Sequence, residues 1–258
     1  MSKLPFTTSQ EDVNALLVEL LAGQRRVLGE GLVGLYLYGS LVSGDFDREI
    51  SDIDLLAVTA EDVDETTFPE LDALHEAIIA RYPFWTGRLE VAYLAERALR
   101  TFRRERSPIA VISPGEPFHI KDAGHEWLIN WWVVRNQART LCGPPPDTLI
   151  DPISREEFRQ EVRSHTQEWS EWVEESTERP GQAYAILTLC RALYAWNKVE
   201  QVSKQRAAEW AIEAYPQQAE VIRQAIQWRI DYRSKDVDHA ASHAIARAFC
   251  RWALQEIG

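Results

Sequence analysis

Residues 36–56 read YLYGSLVSGDFDREISDIDLL, and their pattern indicates how the first half of the chain folds. An apolar run ends at Gly39-Ser40, a polar segment follows, and apolar sequence resumes around Asp52 and Asp54. Side chains alternate along a strand, so the two carboxylates project from one face and the residue between them enters the other. Neighbouring carboxylates repel and raise each other's pKa unless a cation lies between them. The stretch therefore predicts two strands, joined by a loop, that present a cation site.

The flanking sequence alternates between helical and strand patterns. Residues 10–30 place apolar side chains on one helical stripe, and residues 69–82 return to the same spacing. Strand-like runs read GLVGLYLYGS at 31–40, SDIDLLAVT at 51–59 and GRLEVAYL at 87–94. This order of helix, strand, strand, helix and strand predicts an α/β domain with a small mixed sheet in residues 1–150.

The sequence pattern changes after residue 142. The stretch GPPPDTLIDP at 143–152 contains breakers that end regular structure. Beyond it apolar residues recur at helical spacing, and the predicted helices are 155–174, 183–200, 203–215, 217–232 and 236–256. Residues 151–258 are therefore predicted to form an all-α bundle of about five helices. The predicted fold class is α+β, with a catalytic α/β domain followed by a helical domain.

Composition narrows the class of protein. The 258 residues are 45% hydrophobic, which is typical of a globular chain, and carry a net charge of −12. Nucleic-acid binding rests on Lys and Arg against phosphates, so we expect no nucleic-acid partner. No apolar window is long enough to span a bilayer, so we expect no membrane association. Cys142, Cys190 and Cys250 form no pair at metal-binding or disulfide spacing, which favours a cytoplasmic location.

A third carboxylate, Glu90, lies inside the third predicted strand. If that strand neighbours the one that carries Asp54, Glu90 and the acidic pair meet on one face of the sheet. Carboxylate oxygens suit Mg²⁺, and two such ions stabilise both the attacking and the leaving oxygen of a phosphoryl transfer. Gly39-Ser40 ends a strand in a tight turn, where backbone N–H groups and a hydroxyl can hold a phosphate. We therefore expect Asp52, Asp54 and Glu90 to bind metal.

The Gly-Ser turn, the polar spacer, the acidic pair and the later Glu90 together resemble the motif of the nucleotidyltransferase superfamily related to DNA polymerase β. The resemblance implies transfer of a nucleoside monophosphate from a nucleoside triphosphate, with release of pyrophosphate. It also implies that Glu90 is the catalytic base that takes the proton from the acceptor hydroxyl. The sequence does not separate this role from that of metal ligand. The expected nucleotide-binding residues of this half are Gly39, Ser40 and Ser51.

A second resemblance lies in the helical half. The stretch ILTLCRALYAWNKVEQVSKQRAAEWAIEAYP at 186–216 is similar to the helical domain of aminoglycoside adenylyltransferases of the streptomycin/spectinomycin type. In that family an Arg and a Lys of this region reach the ATP phosphates, and Arg191 and Lys204 match them. Basic side chains suit this role because they neutralise charge that develops during transfer. The resemblance implies ATP as co-substrate, Mg²⁺ as cofactor and a small cationic aminoglycoside or aminocyclitol as acceptor.

The acceptor side departs from the family pattern. Gly181 and Gln182 stand where the streptomycin-modifying members are expected to have Asp and Glu, although Glu174, Glu175 and Glu178 lie close by. Three functions therefore stay open. They are adenylyl transfer to an aminoglycoside antibiotic, the same transfer to another small molecule or a protein side chain, and nucleotide binding without turnover. The intact carboxylate set argues against the third.

Overall fold

A six-stranded mixed sheet organises the first half of the chain. The computed structural model describes residues 4–230 and 239–258. The strands are β1 (Leu32–Tyr38), β2 (Ile53–Thr59), β3 (Leu89–Ala95), β4 (Ser107–Ser113), β5 (Glu116–Ala123) and β6 (Arg139–Cys142). They lie across the sheet in the order β5-β4-β3-β2-β1-β6. Among these strands β2 and β3 pair in parallel, and the other neighbouring pairs are antiparallel.

Helices cover this sheet and complete its core. Those of the first half are α1 (Glu11–Leu28), α2 (Ser40–Ser43), α3 (Thr67–Arg81), α4 (Glu96–Thr101) and α5 (Leu128–Gln137). α1 and α3 pack on each other, and Leu17, Leu20 and Leu71 are fully buried. Burying one leucine side chain stabilises a fold by about 1.5–3 kcal/mol. α3 lies in the crossover between β2 and β3, because two parallel strands cannot be joined by a tight hairpin.

The α+β fold class is confirmed, and the sheet is larger than the sequence predicted. The three predicted strands are β1, β2 and β3, and the helices predicted at 10–30 and 69–82 are α1 and α3. Strands β4, β5 and β6 were missed. β5 is an edge strand whose burial does not alternate cleanly, and β6 has only four residues. Neither gives the period-two pattern on which a strand prediction depends.

Helices make up the described part of the second half. They are α6 (Arg155–Glu175), α7 (Arg179–Lys198), α8 (Lys204–Ala214), α9 (Ala219–Ile230) and α10 (His239–Ile257). α6 begins with a capping box in which Ser154 Oγ accepts from Glu157 N (3.1 Å) and the Glu157 carboxylate accepts from Ser154 N (2.8 Å). These helices correspond to the five predicted ones. The predicted helix end at 232 and helix start at 236 lie outside the described residues.

The chain divides into two compact units, one that extends to Pro152 and one that begins at Ile153. Each unit has its own hydrophobic core. Leu16 and Tyr93 belong to the first core, and Leu189 and Phe249 belong to the second. Within the described ranges, no helix is both long enough and apolar enough to cross a membrane.

Candidate active site

The turn at Gly39 joins β1 to α2. Gly39 has a φ of 71° and a ψ of −150°, a backbone conformation that is nearly restricted to glycine. A Cβ at this position would overlap Oδ2 of Asp54. Glycine is therefore required here twice, once for the conformation and once for the approach of the Asp54 carboxylate. Ser40, the next residue, is the first residue of α2.

Three neighbouring strands bring Tyr38, Asp54 and Glu90 side by side. Tyr38 of β1 is the Cα partner of Asp54 in β2, and Asp54 is the Cα partner of Glu90 in β3. Residues in register across a sheet point to the same face, so the two carboxylates share one face. Both are half-buried. The sequence analysis expected Glu90 to lie near Asp54 if their strands are neighbours, and β2 and β3 are neighbours.

Tyr38 was not identified from the sequence. It is 8% exposed, and burial raises its pKa well above the ordinary value of 10.0. The negative charges of Glu90 and then Asp54 raise this pKa further. Tyr38 therefore keeps its phenolic proton at neutral pH, beside two acidic side chains. Its place directly before Gly39 does not single it out, because its position beside Asp54 depends on the pairing of β1 with β2.

The loop before β2 ends at Ser51 and Asp52. Ser51 is 5% exposed, and its Oγ accepts from the backbone N–H of Asp47 (3.0 Å). The Ser51 N–H in turn donates to the carbonyl oxygen of Asp47 (2.7 Å). Ser51 thus holds the loop closed, a structural role that the sequence did not indicate. Its nucleotide-binding role stays a prediction. Asp52 is half-buried and directly precedes the first residue of β2.

The donor chemistry of the site fits Mg²⁺. Carboxylate oxygens are the ligands that this hard cation prefers, and the missing side chain at Gly39 lets the Asp54 carboxylate lie against the turn. In residues 4–230 and 239–258, however, no group of three or more His, Cys, Asp or Glu side chains stands ready to hold a metal ion. Asp52, Asp54 and Glu90 therefore provide the right ligand type without forming a closed three-ligand cage.

The two basic residues expected at the ATP phosphates lie in the second unit. Arg191 is on α7, and its positive charge helps to lower the pKa of His165, after the larger effect of burial. Lys204 is the first residue of α8, and its ammonium group lies 4.2 Å from the centre of the Tyr184 ring. Both basic residues are half-buried. Their contact with ATP stays a prediction.

The two positions that depart from the family pattern have structural roles. The Gln182 side chain is fully buried and donates to the carbonyl oxygens of Ser176 and His239 (3.2 Å each). Its Oε1 accepts from the Ser242 hydroxyl. A Cβ at Gly181 would collide with Ser176 Oγ. These residues therefore fix the turn between α6 and α7 against the start of α10 and present no carboxylate.

Comparison with protein families agrees with both halves of this description. Residues 23–122 match the nucleotidyltransferase domain. The chain is therefore a nucleotidyltransferase, an enzyme that transfers a nucleotidyl group. Residues 148–255 match the C-terminal domain of aminoglycoside adenylyltransferase. The two matches follow one another along most of the chain and agree with the resemblance to aminoglycoside adenylyltransferases that the sequence predicted.

Individual relatives cover nearly the whole chain. It is 26% identical to an aminoglycoside (3'') (9) adenylyltransferase of Escherichia coli, over 90% of each protein. It is 28% identical to an enzyme of the same name from Shigella flexneri, over 80% of this chain and 81% of that one. Its fold is similar to that of a spectinomycin adenyltransferase from Enterococcus faecialis, solved with ATP and spectinomycin. That match has a TM-score of 0.74 and 15% identity, over 94% of this chain and 98% of the other.

Proposed function

We propose that the chain is a Mg²⁺-dependent adenylyltransferase. It moves AMP from ATP to a hydroxyl of an aminocyclitol or aminoglycoside antibiotic, of the spectinomycin or streptomycin class, and releases pyrophosphate. The observation that carries the proposal is the register of Asp54 and Glu90 on adjacent strands, beside the side-chain-free turn at Gly39. Together with the matches to the nucleotidyltransferase domain and to the C-terminal domain of aminoglycoside adenylyltransferase, this arrangement supports nucleotidyl transfer from this sheet face.

The carboxylates divide the chemistry between them. Glu90 takes the proton of the acceptor hydroxyl as its oxygen attacks the α-phosphorus. A new P–O bond forms to the acceptor, and the bond between the α-phosphorus and the bridging oxygen breaks, so that pyrophosphate leaves with the electron pair. Asp52 and Asp54 would hold Mg²⁺, which would supply positive charge to the attacking and leaving oxygens. Arg191 and Lys204 neutralise the triphosphate.

The helical unit carries features that suit a cationic acceptor. Trp172 of α6 and Tyr184 of α7 are 39% and 46% exposed, and their ring centroids are 5.9 Å apart. Exposed aromatic faces attract cations, and because Lys204 already lies over the Tyr184 ring, the exposed ring left for the acceptor is that of Trp172. The end of α6 adds the acidic residues Glu174 and Glu175. Glu174 already pairs with Arg247, with Oε1 2.6 Å from Nε. Because Gly181 and Gln182 carry no charge, recognition of the acceptor falls to residues other than the family's acidic pair.

The proposal is tested with a panel of acceptors. The protein is incubated with ATP and Mg²⁺ and with spectinomycin, streptomycin, kanamycin or no acceptor, and pyrophosphate release and product mass are measured. We expect a product heavier by one AMP unit with spectinomycin or streptomycin. The same mass increase on the protein itself, or none with any acceptor despite ATP binding, would support one of the alternatives and overturn the acceptor assignment.

A further inference from the structure

The loop at residues 45–51 leads directly into the acidic pair and is folded on itself. The backbone N–H groups of Ile50 and Ser51 both donate to the carbonyl oxygen of Asp47, at 3.2 and 2.7 Å. The Asp47 N–H donates to Ser51 Oγ (3.0 Å). The loop is therefore a compact unit that can be held from outside as one piece. Whatever holds it also fixes the start of β2, where Asp52 and Asp54 lie.

Arg88, which directly precedes β3, holds this loop with its side chain. Its Nε donates to the carbonyl oxygen of Ser51 (3.1 Å), and its Nη2 donates to that of Arg48 (2.6 Å) and also to that of Ser51. The carbonyl oxygen of Arg88 accepts from the N–H of Ile53, the first residue of β2 (2.9 Å). Arg88 thus contacts the loop through its side chain and β2 through its backbone, and it lies two residues before Glu90.

The Arg88 side chain is itself held in place by packing against Trp85. Its guanidinium lies 4.7 Å from the ring centre of Trp85, which is 1% exposed. Trp85 Nε1 donates to Oδ2 of Asp12 on α1 (3.1 Å). The same carboxylate oxygen accepts from both terminal nitrogens of Arg48, at 3.2 and 2.9 Å. The loop is thus tied to α1 by Arg48 and to the strand of Glu90 by Arg88.

We propose that Arg88 is a positioning residue for the metal-binding pair, because its guanidinium fixes the loop that ends at Asp52 against the strand that carries Glu90. The inference rests on the proposed function. It adds the residue that sets the distance between the pair Asp52 and Asp54 and the third carboxylate, Glu90. Partners of this kind matter because they orient the ligands without touching the metal, and their loss typically costs about 10–100-fold in metal affinity or activity. A planar guanidinium can bridge two carbonyl oxygens, which a single ammonium group cannot do with the same rigidity.

The test measures metal binding and loop protection as well as activity. Arg88→Met keeps an unbranched stem against Trp85 and removes the donors, and Arg88→Lys keeps the charge with one donor group. Mn²⁺ is titrated by electron paramagnetic resonance in the presence of a non-hydrolysable ATP analogue. We expect half-saturation at about tenfold higher Mn²⁺ in Arg88→Met, with a smaller rise in Arg88→Lys. We also expect faster amide hydrogen exchange at residues 47–53. A high Mg²⁺ concentration should partly restore the turnover of Arg88→Met, whereas it would not restore the turnover of an unfolded variant.

Arg135 provides the matched control. Its Nη1 also donates to two backbone carbonyl oxygens, those of Asp147 (2.7 Å) and Ile150 (2.8 Å). We expect Arg135→Met to leave Mn²⁺ affinity and exchange at residues 47–53 unchanged. Mn²⁺ affinity and loop exchange in both Arg88 variants that equal those of the wild-type protein would overturn the inference. This holds even if the wild-type protein adenylylates an antibiotic as proposed. A wild-type protein that binds no Mn²⁺ would overturn it together with the metal part of the proposed function. If the Arg88 variants bind Mn²⁺ more weakly as expected but the wild-type protein modifies no aminoglycoside, the inference is supported. Only the assignment of the acceptor is then overturned.

Discussion

Gly39 is the residue where backbone conformation and site chemistry meet. Its positive φ leaves alanine strained by about 1–3 kcal/mol, and the added Cβ would displace the Asp54 carboxylate. Displacing a reacting group by about 1 Å can cost 10²-fold in rate. The substitution Gly39→Ala therefore tests the geometry of the site by adding a single methyl group.

We expect Gly39→Ala to lower the transfer rate by about 10²-fold. Gly44→Ala is the control, because Gly44 also has a positive φ, of 92°, but a Cβ there would meet no atom within 4 Å. Both variants should have a lower unfolding temperature than wild type. Only Gly39→Ala should also have a lower transfer rate at temperatures where both variants are folded. Equal kcat in the two variants, measured well below their unfolding temperatures, would contradict the requirement for space in front of Asp54.

Glu90→Gln separates the two roles that the sequence leaves joined. The amide keeps the shape of the side chain but removes the base and one negative charge. If Glu90 is mainly the base, transfer falls by roughly 10²–10⁴-fold while ATP binding survives. We expect this result, with ATP affinity measured by calorimetry in Mg²⁺. A parallel loss of nucleotide affinity and metal dependence would instead identify Glu90 mainly as a ligand, and unchanged transfer would exclude it from the mechanism.

At the scale of elements, the sequence predicted the parts that carry strong local patterns. β1, β2 and β3 are apolar runs with turn residues at their ends, and the site residues between Gly39 and Glu90 follow from them. The hydrogen bonds of Arg88 could not be predicted, because they depend on how the loop at 45–51 folds back on β3. Tyr38 was missed for a related reason: its importance comes from the register of β1 with β2, which one strand's pattern does not reveal.

A buried polar group joins three elements of the first unit. Tyr93 of β3 accepts from Gln24 Nε2 of α1 (2.8 Å) and lies 3.0 Å from His75 Nε2 of α3. His75 is 1% exposed, and its Nδ1 has no hydrogen-bond partner in the described part of the chain. Burial lowers the pKa of His75 from 6.5 to about 4. The folded protein therefore resists protonation of a group that the unfolded chain protonates readily.

This difference predicts a loss of stability in mild acid. The contribution of His75 is fully present above pH 6.5 and is lost as the pH falls from about 6.5 towards 4, because the unfolded state then binds the extra proton. His75→Gln keeps a hydrogen-bond acceptor for Tyr93 and does not titrate. Between pH 7 and pH 5 we expect wild type to lose about 2 kcal/mol more unfolding free energy than the variant, measured in urea. Parallel pH dependence of the two proteins would show that His75 is not the group responsible.

At the scale of the whole molecule, the two units have separate cores. Every buried residue of the cluster around Phe249 comes from the second unit, and every one of the cluster around Leu17 comes from the first. A core truncation should therefore weaken mainly the unit that contains it. The reason is that a cavity costs the contacts of its own neighbours.

We expect Phe249→Ala to lose about 3–5 kcal/mol and Leu17→Ala about 2–5 kcal/mol of local stability. Phe249 is 1% exposed and Leu17 is fully buried. Hydrogen exchange followed by mass spectrometry should rise mainly at residues 153–230 and 239–258 in the first variant, and mainly at 4–152 in the second. Exchange that rises equally in both units in either variant would show that they unfold as one.

The parallel pairing of β2 with β3 has a consequence for the order in which the chain is made. Asp54 and Glu90 are separated by a crossover that includes all of α3, and closing such a long connection costs entropy before any contact is gained. A chain synthesised only as far as residue 86 contains both aspartates but lacks Glu90 and the arginine that holds their loop. During synthesis the acidic pair can therefore lie beside β1 well before its parallel partner strand exists, and the site can form only when β3 has emerged and paired with β2.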